Sequence, residues 1–232
     1  MATAANQNDS VWEKPDSVER FAARDPDLRL LELMDGLTDA SRWRILDLGC
    51  AGGRNTVVLA KRGFDVHARD ASRAMIARTR QRVAEILGEK EASRRVRRGR
   101  MDELGDFTAD VFNLVVALGL YHCASSREEW DGALSETVRV LKPGGRLLVS
   151  VFHPETDLHG KGTQPVPGEE HVYSGFSSGR TFLVDAPTLD SEVARFDLEP
   201  VVPTNTVRVP LEKGRRVVVN ALYTKKRGQS PS

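Results

Sequence analysis

The sequence predicts an α/β domain: a mostly parallel sheet with helices on both faces. Three observations predict it. The apolar strand Arg44-Ile45-Leu46-Asp47-Leu48 runs into the glycine-dense turn Gly49-Cys50-Ala51-Gly52-Gly53, and the helical pattern Thr56-Val57-Val58-Leu59-Ala60 follows at once. Strand and helix patterns then alternate as far as Phe152, a rhythm that requires crossover connections and parallel strands. Two last strand patterns, 200–210 and 215–224, meet around Lys213-Gly214 and close the sheet with an antiparallel pair.

Taken in order, residues 1–10 are polar and expected to be disordered. Asp16-Ser17-Val18-Glu19 has the spacing of a capping box and predicts a helix carrying Val18, Phe21 and Ala22. Asp25-Pro26 predicts a second helix with proline in its first turn and an apolar stripe of Leu28, Leu31 and Met34. Both precede the first strand, so they must pack outside the sheet or over its ligand edge. The helix after the glycine turn ends near Arg62, with Gly63 just beyond it. The second strand runs from Phe64 to Arg69 and reaches Asp70. Ser72 can cap the helix that follows, which presents Ile76, Val83 and Leu87 on one face. A charged connection, 89–95, leads to a weak third strand at 95–98. The fourth, 111–118, is strongly apolar, as expected of a central strand. Ser126 and Glu129 predict another capped helix, with Trp130, Leu134, Val138 and Leu141. Lys142-Pro143-Gly144-Gly145 stops it, and the fifth strand follows at 146–152. Residues 154–180, rich in Gly and Pro, read as a long functional or mobile loop. A helix is expected over 185–196.

Composition narrows the function. The 232 residues carry a net charge of +1, 40% hydrophobic and 29% charged residues. That suits one globular domain and gives no overall attraction to nucleic acid or anionic lipid. No apolar run approaches the ~20 residues needed to cross a bilayer, and the polar N-terminus lacks the apolar segment of a signal peptide. Two cysteines, Cys50 and Cys123, make no disulfide framework, so a reduced cytoplasmic setting is expected. Neither membrane nor nucleic acid is expected as a partner. The run Arg94-Arg95-Val96-Arg97-Arg98-Gly99-Arg100 reads as a solvated edge strand.

These residues resemble a class I S-adenosylmethionine-dependent methyltransferase of the small-molecule type, over roughly 40–224. Leu46-Asp47-Leu48-Gly49-Cys50-Ala51-Gly52-Gly53 resembles the family's acid-x-Gly-x-Gly-x-Gly motif. Asp70 matches the acid that ends the second strand. Phe112-Asn113-Leu114-Val115-Val116-Ala117-Leu118 resembles the fourth-strand motif, and Leu141-Lys142-Pro143-Gly144-Gly145 the turn before strand five. The resemblance implies a Rossmann-like fold with a seven-stranded sheet of order 3-2-1-4-5-7-6, strand seven antiparallel. It also implies a helical lid over 1–39, a domain over 40–224 with a loop insert at 154–180, and a polar tail at 225–232.

The resemblance further implies that S-adenosylmethionine is bound and S-adenosylhomocysteine released. Asp47, Gly49, Cys50, Ala51 and Gly53 would cradle the methionine part, and Asp70 would accept the two ribose hydroxyls. Ala71 and Met101 would flank adenine, with Asp102 and Leu118 nearby. Asn55 is either a helix cap or a cofactor contact. Ala51 stands at the family's middle glycine, which suits alanine if its φ is negative. Arg100 stands where the family often has an acid for the adenine amino group, and Asn113 replaces a common Asp. His122 and His153 follow strands four and five, at the edge where ligands bind, and would line the acceptor site as the candidate catalytic residues. Tyr121, Trp12, Phe21, Tyr173 and Phe176 are candidate acceptor-binding aromatics. His159 and His171 lack the tight spacing to Glu155 or Cys123 that a metal site needs, so no metal is expected. The expected reaction is in-line methyl transfer to an N, O or S atom of a small molecule. The alternatives are a chain that binds the cofactor without transferring the methyl group, and a nucleic-acid methyltransferase. The latter is disfavoured by Ala117-Leu118-Gly119-Leu120-Tyr121 after strand four, which lacks the Pro-Pro-aromatic grip of base-modifying families.

Overall fold

The structure, a computed structural model, describes residues 11–227. The expectations for residues 1–10 and for the end of the tail, 228–232, lie outside the described residues. Cα packing divides the chain into two compact units, residues up to Arg100 and residues from Met101 onward.

In the first unit, α1 (Pro15–Ala22) and α2 (Leu28–Asp35) precede β1 (Arg44–Leu48), α3 (Arg54–Lys61), β2 (Asp65–Asp70), α4 (Arg73–Leu87), α5 (Glu89–Arg95) and β3 (Val96–Arg98). The strands are parallel in the order 3-2-1, with Asp47 opposite Ala68 and Asp70 opposite Arg98. The residues facing α4 and α5 form a buried cluster of Cys50, Ala68, Ile76, Val83, Ala92 and Val96. Ser72 caps α4 as expected, its hydroxyl accepting from the Met75 amide.

Three expectations here need correction. The first helix starts at Pro15, with Lys14 before it, so Asp16 lies inside the first turn and is not the cap. The second starts at Leu28 and is capped by the Asp27 carboxylate, which accepts from the Arg29 amide; Pro26 stays outside. The charged stretch 89–95 is a helix and not a connection. Its Glu91 reaches Arg94 and Arg95 one turn on, the spacing that stabilises short charged helices.

The second unit contains β4 (Phe112–Leu118), a 3-10 turn at Tyr121–Cys123, α6 (Arg127–Val140) and β5 (Leu141–Phe152). Then come β6 (Gln164–Pro165), β7 (Val172–Phe176), β8 (Gly179–Phe182), α7 (Ala186–Ala194), β9 (Leu198–Pro200), β10 (Asn205–Leu211) and β11 (Gly214–Lys225). β4 and β5 are parallel, β11 runs antiparallel to β5, and β10 lies antiparallel on β11. This is the order 4-5-7-6 with its one reversed strand, and β9 adds a short pairing to β11. Four residues of β4, Leu114 to Ala117, are fully buried.

Here too the details differ. The Ser126 hydroxyl accepts from the Glu129 amide, but Glu129 returns its own bond to Ser125. Lys142-Pro143-Gly144-Gly145 is a bulge within β5: Phe112 pairs Leu141 while Leu114 pairs Arg146. The expected loop at 154–180 contains a three-stranded antiparallel sheet, β6-β7-β8. Lys225, expected in a frayed tail, ends β11, and its ammonium donates to the Val138 and Leu141 carbonyls and to Asp110.

Candidate functional site

The first unit carries the glycine turn. The amides of Gly49 and Cys50 both donate to the Arg69 carbonyl, at 2.8 and 3.0 Å, which pins the turn across the end of β2. One residue on, Asp70 turns both carboxylate oxygens to backbone: Oδ2 accepts from the Ala51 amide and Oδ1 from the Ser72 amide, each at 2.9 Å. A carboxylate oxygen has two acceptor sites, so one remains on each. Burial raises the Asp70 pKa, against the pull of those two amides.

Ala51 has φ +46°, so the negative φ that would suit an alanine at this position is not the one adopted. A left-handed alanine costs on the order of 1 kcal/mol. It is held by its amide bond to Asp70 and by the Thr79 hydroxyl, which donates to its carbonyl at 2.6 Å. Gly49 and Gly53 also have positive φ. A Cβ on Gly53 would lie 2.8 Å from the Thr79 methyl, so close packing onto α4 is enough to require glycine there. Cys50 is buried beside Thr79, and burial pushes its thiol well above the usual range. Neither cysteine is in a disulfide.

Asp47 sits beneath the turn, 2% exposed, and accepts from the Thr56 hydroxyl at 2.6 Å. Burial raises its pKa to about 6. It thus ties β1 to the first turn of α3. Asn55 is the second residue of α3, behind Gly53, so it is not the cap. Its side-chain oxygen accepts from the Asp27 amide at 3.0 Å and tethers the start of α2.

The N-terminal helices pack over the edge of this unit that carries the glycine turn. Arg82 donates to the carbonyls of both Ala22 and Gly52. Arg54 donates to the Asp25 carbonyl, and Arg78 pairs with Glu19. Sequence reasoning missed Glu13, whose carboxylate accepts from the Arg73 and Ala74 amides at the start of α4. Burial opposes its ionisation, but those amide bonds outweigh it and hold its pKa below the usual range. Ser72 donates to the Trp12 carbonyl alongside. Trp12 and Phe21 meet edge to face, centroids 5.0 Å apart, with the Arg24 guanidinium 4.2 Å above Phe21. Ala71 is exposed, and its carbonyl accepts from Arg98. Arg94 and Arg95 pair with Glu91, and Arg95 also with Asp65.

In the second unit the two histidines differ. His122 is buried and stacked on Phe152, centroids 4.0 Å apart. Phe176 stacks on the other side of the sequence of rings, 6.0 Å from Phe152. Among the described residues the His122 Nδ1 has no hydrogen-bond partner. Burial lowers the His122 pKa to about 3, so the ring is neutral at physiological pH and a weak base. His153 is half-buried, and its Nδ1 accepts from the Glu155 amide at 3.0 Å. That bond assigns its proton to Nε2, which leaves a donor and not a base facing out. Burial lowers its pKa as well.

Tyr121, read as an acceptor-binding residue, is corrected to a core residue. It is fully buried, packs edge to face on Trp130 and shares a 2.6 Å hydrogen bond with Thr137. Tyr173 is half-buried in β7, paired with Thr181 of β8. Met101 is buried, Asp102 and Leu118 are half-buried, and Leu118 ends β4. Phe152 is the ring that sequence reasoning missed; its position at the end of β5, before His153, was the available signal. Among the described residues no group of three His, Cys, Asp or Glu side chains is placed to hold a metal ion. No described helix is long and apolar enough to cross a membrane.

Residues 45–145 match the family described as methyltransferase domain. The chain is 32% identical over 149 residues to malonyl-[acyl-carrier protein] O-methyltransferase of Salmonella typhimurium, covering 62% of this chain and 50% of that protein. It is 33% identical over 126 residues to demethylmenaquinone methyltransferase of Clavibacter sepedonicus, covering 53% and 43%. The chain thus spans about half the length of the curated relatives it matches. Among solved structures, the fold is similar to a Burkholderia thailandensis 1,6-didemethyltoxoflavin-N1-methyltransferase with bound 1,6-didemethyltoxoflavin and S-adenosylhomocysteine. The TM-score is 0.60 at 21% identity, over 93% of this chain and 81% of that one. With the strand orders above, these similarities show a methyltransferase domain match over residues 45–145 and a Rossmann-like fold.

Proposed function

We propose that the protein transfers the methyl group of S-adenosylmethionine to an N, O or S atom of a small molecule. The observation that carries this reading is Asp70, a half-buried carboxylate that fixes the Ala51 turn and keeps one acceptor site on each oxygen. Those sites suit a ribose diol. Gly49, Cys50, Ala51 and Gly53 present backbone to the methionine part, and Asp47, beneath them, complements its ammonium group. Asn55 acts on the cofactor through the α2 tether. In the first unit Ala71 is assigned to adenine; Met101, Asp102 and Leu118 are the second unit's adenine candidates. The segment over 1–39 is a lid, the domain is 40–224 and the setting is cytoplasmic. The small-molecule acceptor is supported by the relatives, whose names specify a malonyl group, a demethylmenaquinone and a didemethyltoxoflavin.

In the reaction a lone pair on the acceptor forms a bond to the methyl carbon as the C–S bond breaks, and the sulfur keeps that pair. The protein's contribution is alignment and the exclusion of water. Neither histidine is a ready base, so the acceptor arrives ionised or loses its proton to solvent after transfer. His122 offers Nδ1 as a hydrogen-bonding group beside the Phe152 and Phe176 rings, and His153 offers the Nε2 proton. Tyr173 is a further acceptor-side aromatic of this unit, and Trp12 and Phe21 are the first unit's candidates. The test is incubation with S-adenosylmethionine and a panel of phenolic, amine and thiol acceptors. Release of S-adenosylhomocysteine in step with a methylated product supports the reading; binding of the cofactor with no product from any acceptor class overturns it.

His122→Phe keeps the stack on Phe152 and removes Nδ1. The variant is expected to lose at least about 10-fold in kcat/KM for the acceptor, with cofactor affinity unchanged. It should also be more thermostable, because an unpaired buried nitrogen costs about 1–3 kcal/mol. Steady-state kinetics and thermal melting check both; wild-type kinetics would remove His122 from the acceptor site.

A further inference from the structure

A groove of about 480 Å³ lies in the second unit, lined by Gly144, Arg146, Glu199, Val201, Thr224, Lys225, Lys226 and Arg227. It sits at the start of β5 and the end of β11, where Thr224 pairs with Arg146. The six residue steps of β5 from Arg146 to Phe152 span about 20 Å, so the groove is at the opposite edge of the sheet from Phe152 and His153.

Its charge is unbalanced. Lys225 is committed to Asp110 and to the carbonyls of Val138 and Leu141. Among the described residues Arg146, Lys226 and Arg227 have no ion pair or side-chain hydrogen bond, whereas Arg94, Arg95, Arg127, Arg139, Arg195 and Arg208 are each paired with acids. Glu199, the one acid in the groove, pairs with none of them. Arg227 is held close to the β5 bulge: a Cβ on Gly144 would lie 3.2 Å from its Nε, so the absent side chain admits the guanidinium. Val201, 42% exposed, adds an apolar wall.

We propose that this groove binds the diphosphate group of a small organic molecule. Two guanidinium groups offer paired donors that match phosphate oxygens, and Lys226 adds a third positive charge. The volume lies within the range of small-molecule sites. Val201 and Glu199 then face the organic part, the acid suiting a hydroxyl or amino group.

Calorimetric titration of the full-length chain tests this, with inorganic pyrophosphate as the probe and ADP as an organic diphosphate. Pyrophosphate is expected to bind at one site. The R146Q/K226Q/R227Q variant should weaken it at least about 10-fold, and Glu199→Gln should tighten it by removing the opposing charge. The R94Q/R97Q variant, which removes cations elsewhere, should leave it unchanged. ADP binding more tightly than pyrophosphate, by a margin that the triple variant abolishes, would support the apolar wall. If the triple variant misfolds, Arg227→Gln alone should weaken binding several-fold. No binding, equal loss in the R94Q/R97Q variant, or capture of an acidic peptide but not of pyrophosphate would each overturn the proposal.

Discussion

Asp70→Ala is expected to lower S-adenosylhomocysteine affinity by at least about 100-fold. The carboxylate would give two charged hydrogen bonds to the ribose diol, each worth about 1.5–3 kcal/mol. It also holds the Ala51 and Ser72 amides in place, so its loss frees the turn that faces the methionine part. Asp70→Asn separates the two effects. Its amide keeps one acceptor oxygen and presents N–H groups where the other oxygen was, so affinity should fall between wild type and the alanine variant. The acid's own titration gives a second check. Burial raises the Asp70 pKa, so its contribution to stability is full below the unfolded value and is lost as pH rises through the folded one. Cofactor affinity runs the other way, weakening as acid protonates the carboxylate. Calorimetry over a pH series that starts in the ordinary carboxylate range measures this; an Asp70→Ala chain with wild-type affinity removes the ribose assignment.

Gly52→Ala is expected to destabilise the protein by about 1–3 kcal/mol, the usual range for overpacking. For a chain of this size that corresponds to a fall in Tm of roughly 2–10 °C. The added Cβ would lie 2.6 Å from the Ala22 nitrogen and 2.7 Å from its Cα. Both are backbone atoms, so the end of α1 itself must move. That displaces the point where Arg82 joins Ala22 to Gly52. Faster proteolysis between residues 22 and 28 should accompany the loss. A variant with unchanged melting and unchanged proteolysis would show that α1 does not rest on the turn in solution.

What was legible in the sequence follows from how local each cause is. The strands announce themselves as apolar runs, and Gly49 and Gly53 mark left-handed positions that a single residue type reveals. Ser72 and Ser126 were readable as caps because a cap acts over three residues. Asp16 was misread because Pro15 can begin a helix one residue earlier without a side-chain cap. The 89–95 helix was missed because only Ala92 is buried in it, so it has no apolar face to read. The strands within 154–180 were missed because they are only two to five residues long, too short for a period to show.

The candidate site divides the same way. Asp47 and Asp70 were found because each ends or nearly ends a strand. Tyr121 was misplaced because its neighbour in sequence, His122, gives no sign of which side of the 3-10 turn faces the core. Glu13 acts across sixty residues, and Phe152 through rings from distant segments; neither relation has a sequence period. The sign of φ at Ala51 was left open by the sequence because alanine does not require it, whereas the bonds to Asp70 and Thr79 do.

The central claim is that the turn after β1 and the acid ending β2 hold the cofactor. Hydrogen–deuterium exchange with and without S-adenosylhomocysteine tests it most directly. Exchange is expected to slow in peptides spanning Asp47–Thr56 and Arg69–Met75 when the product cofactor is added. Unchanged exchange in both peptides under saturating S-adenosylhomocysteine would contradict it.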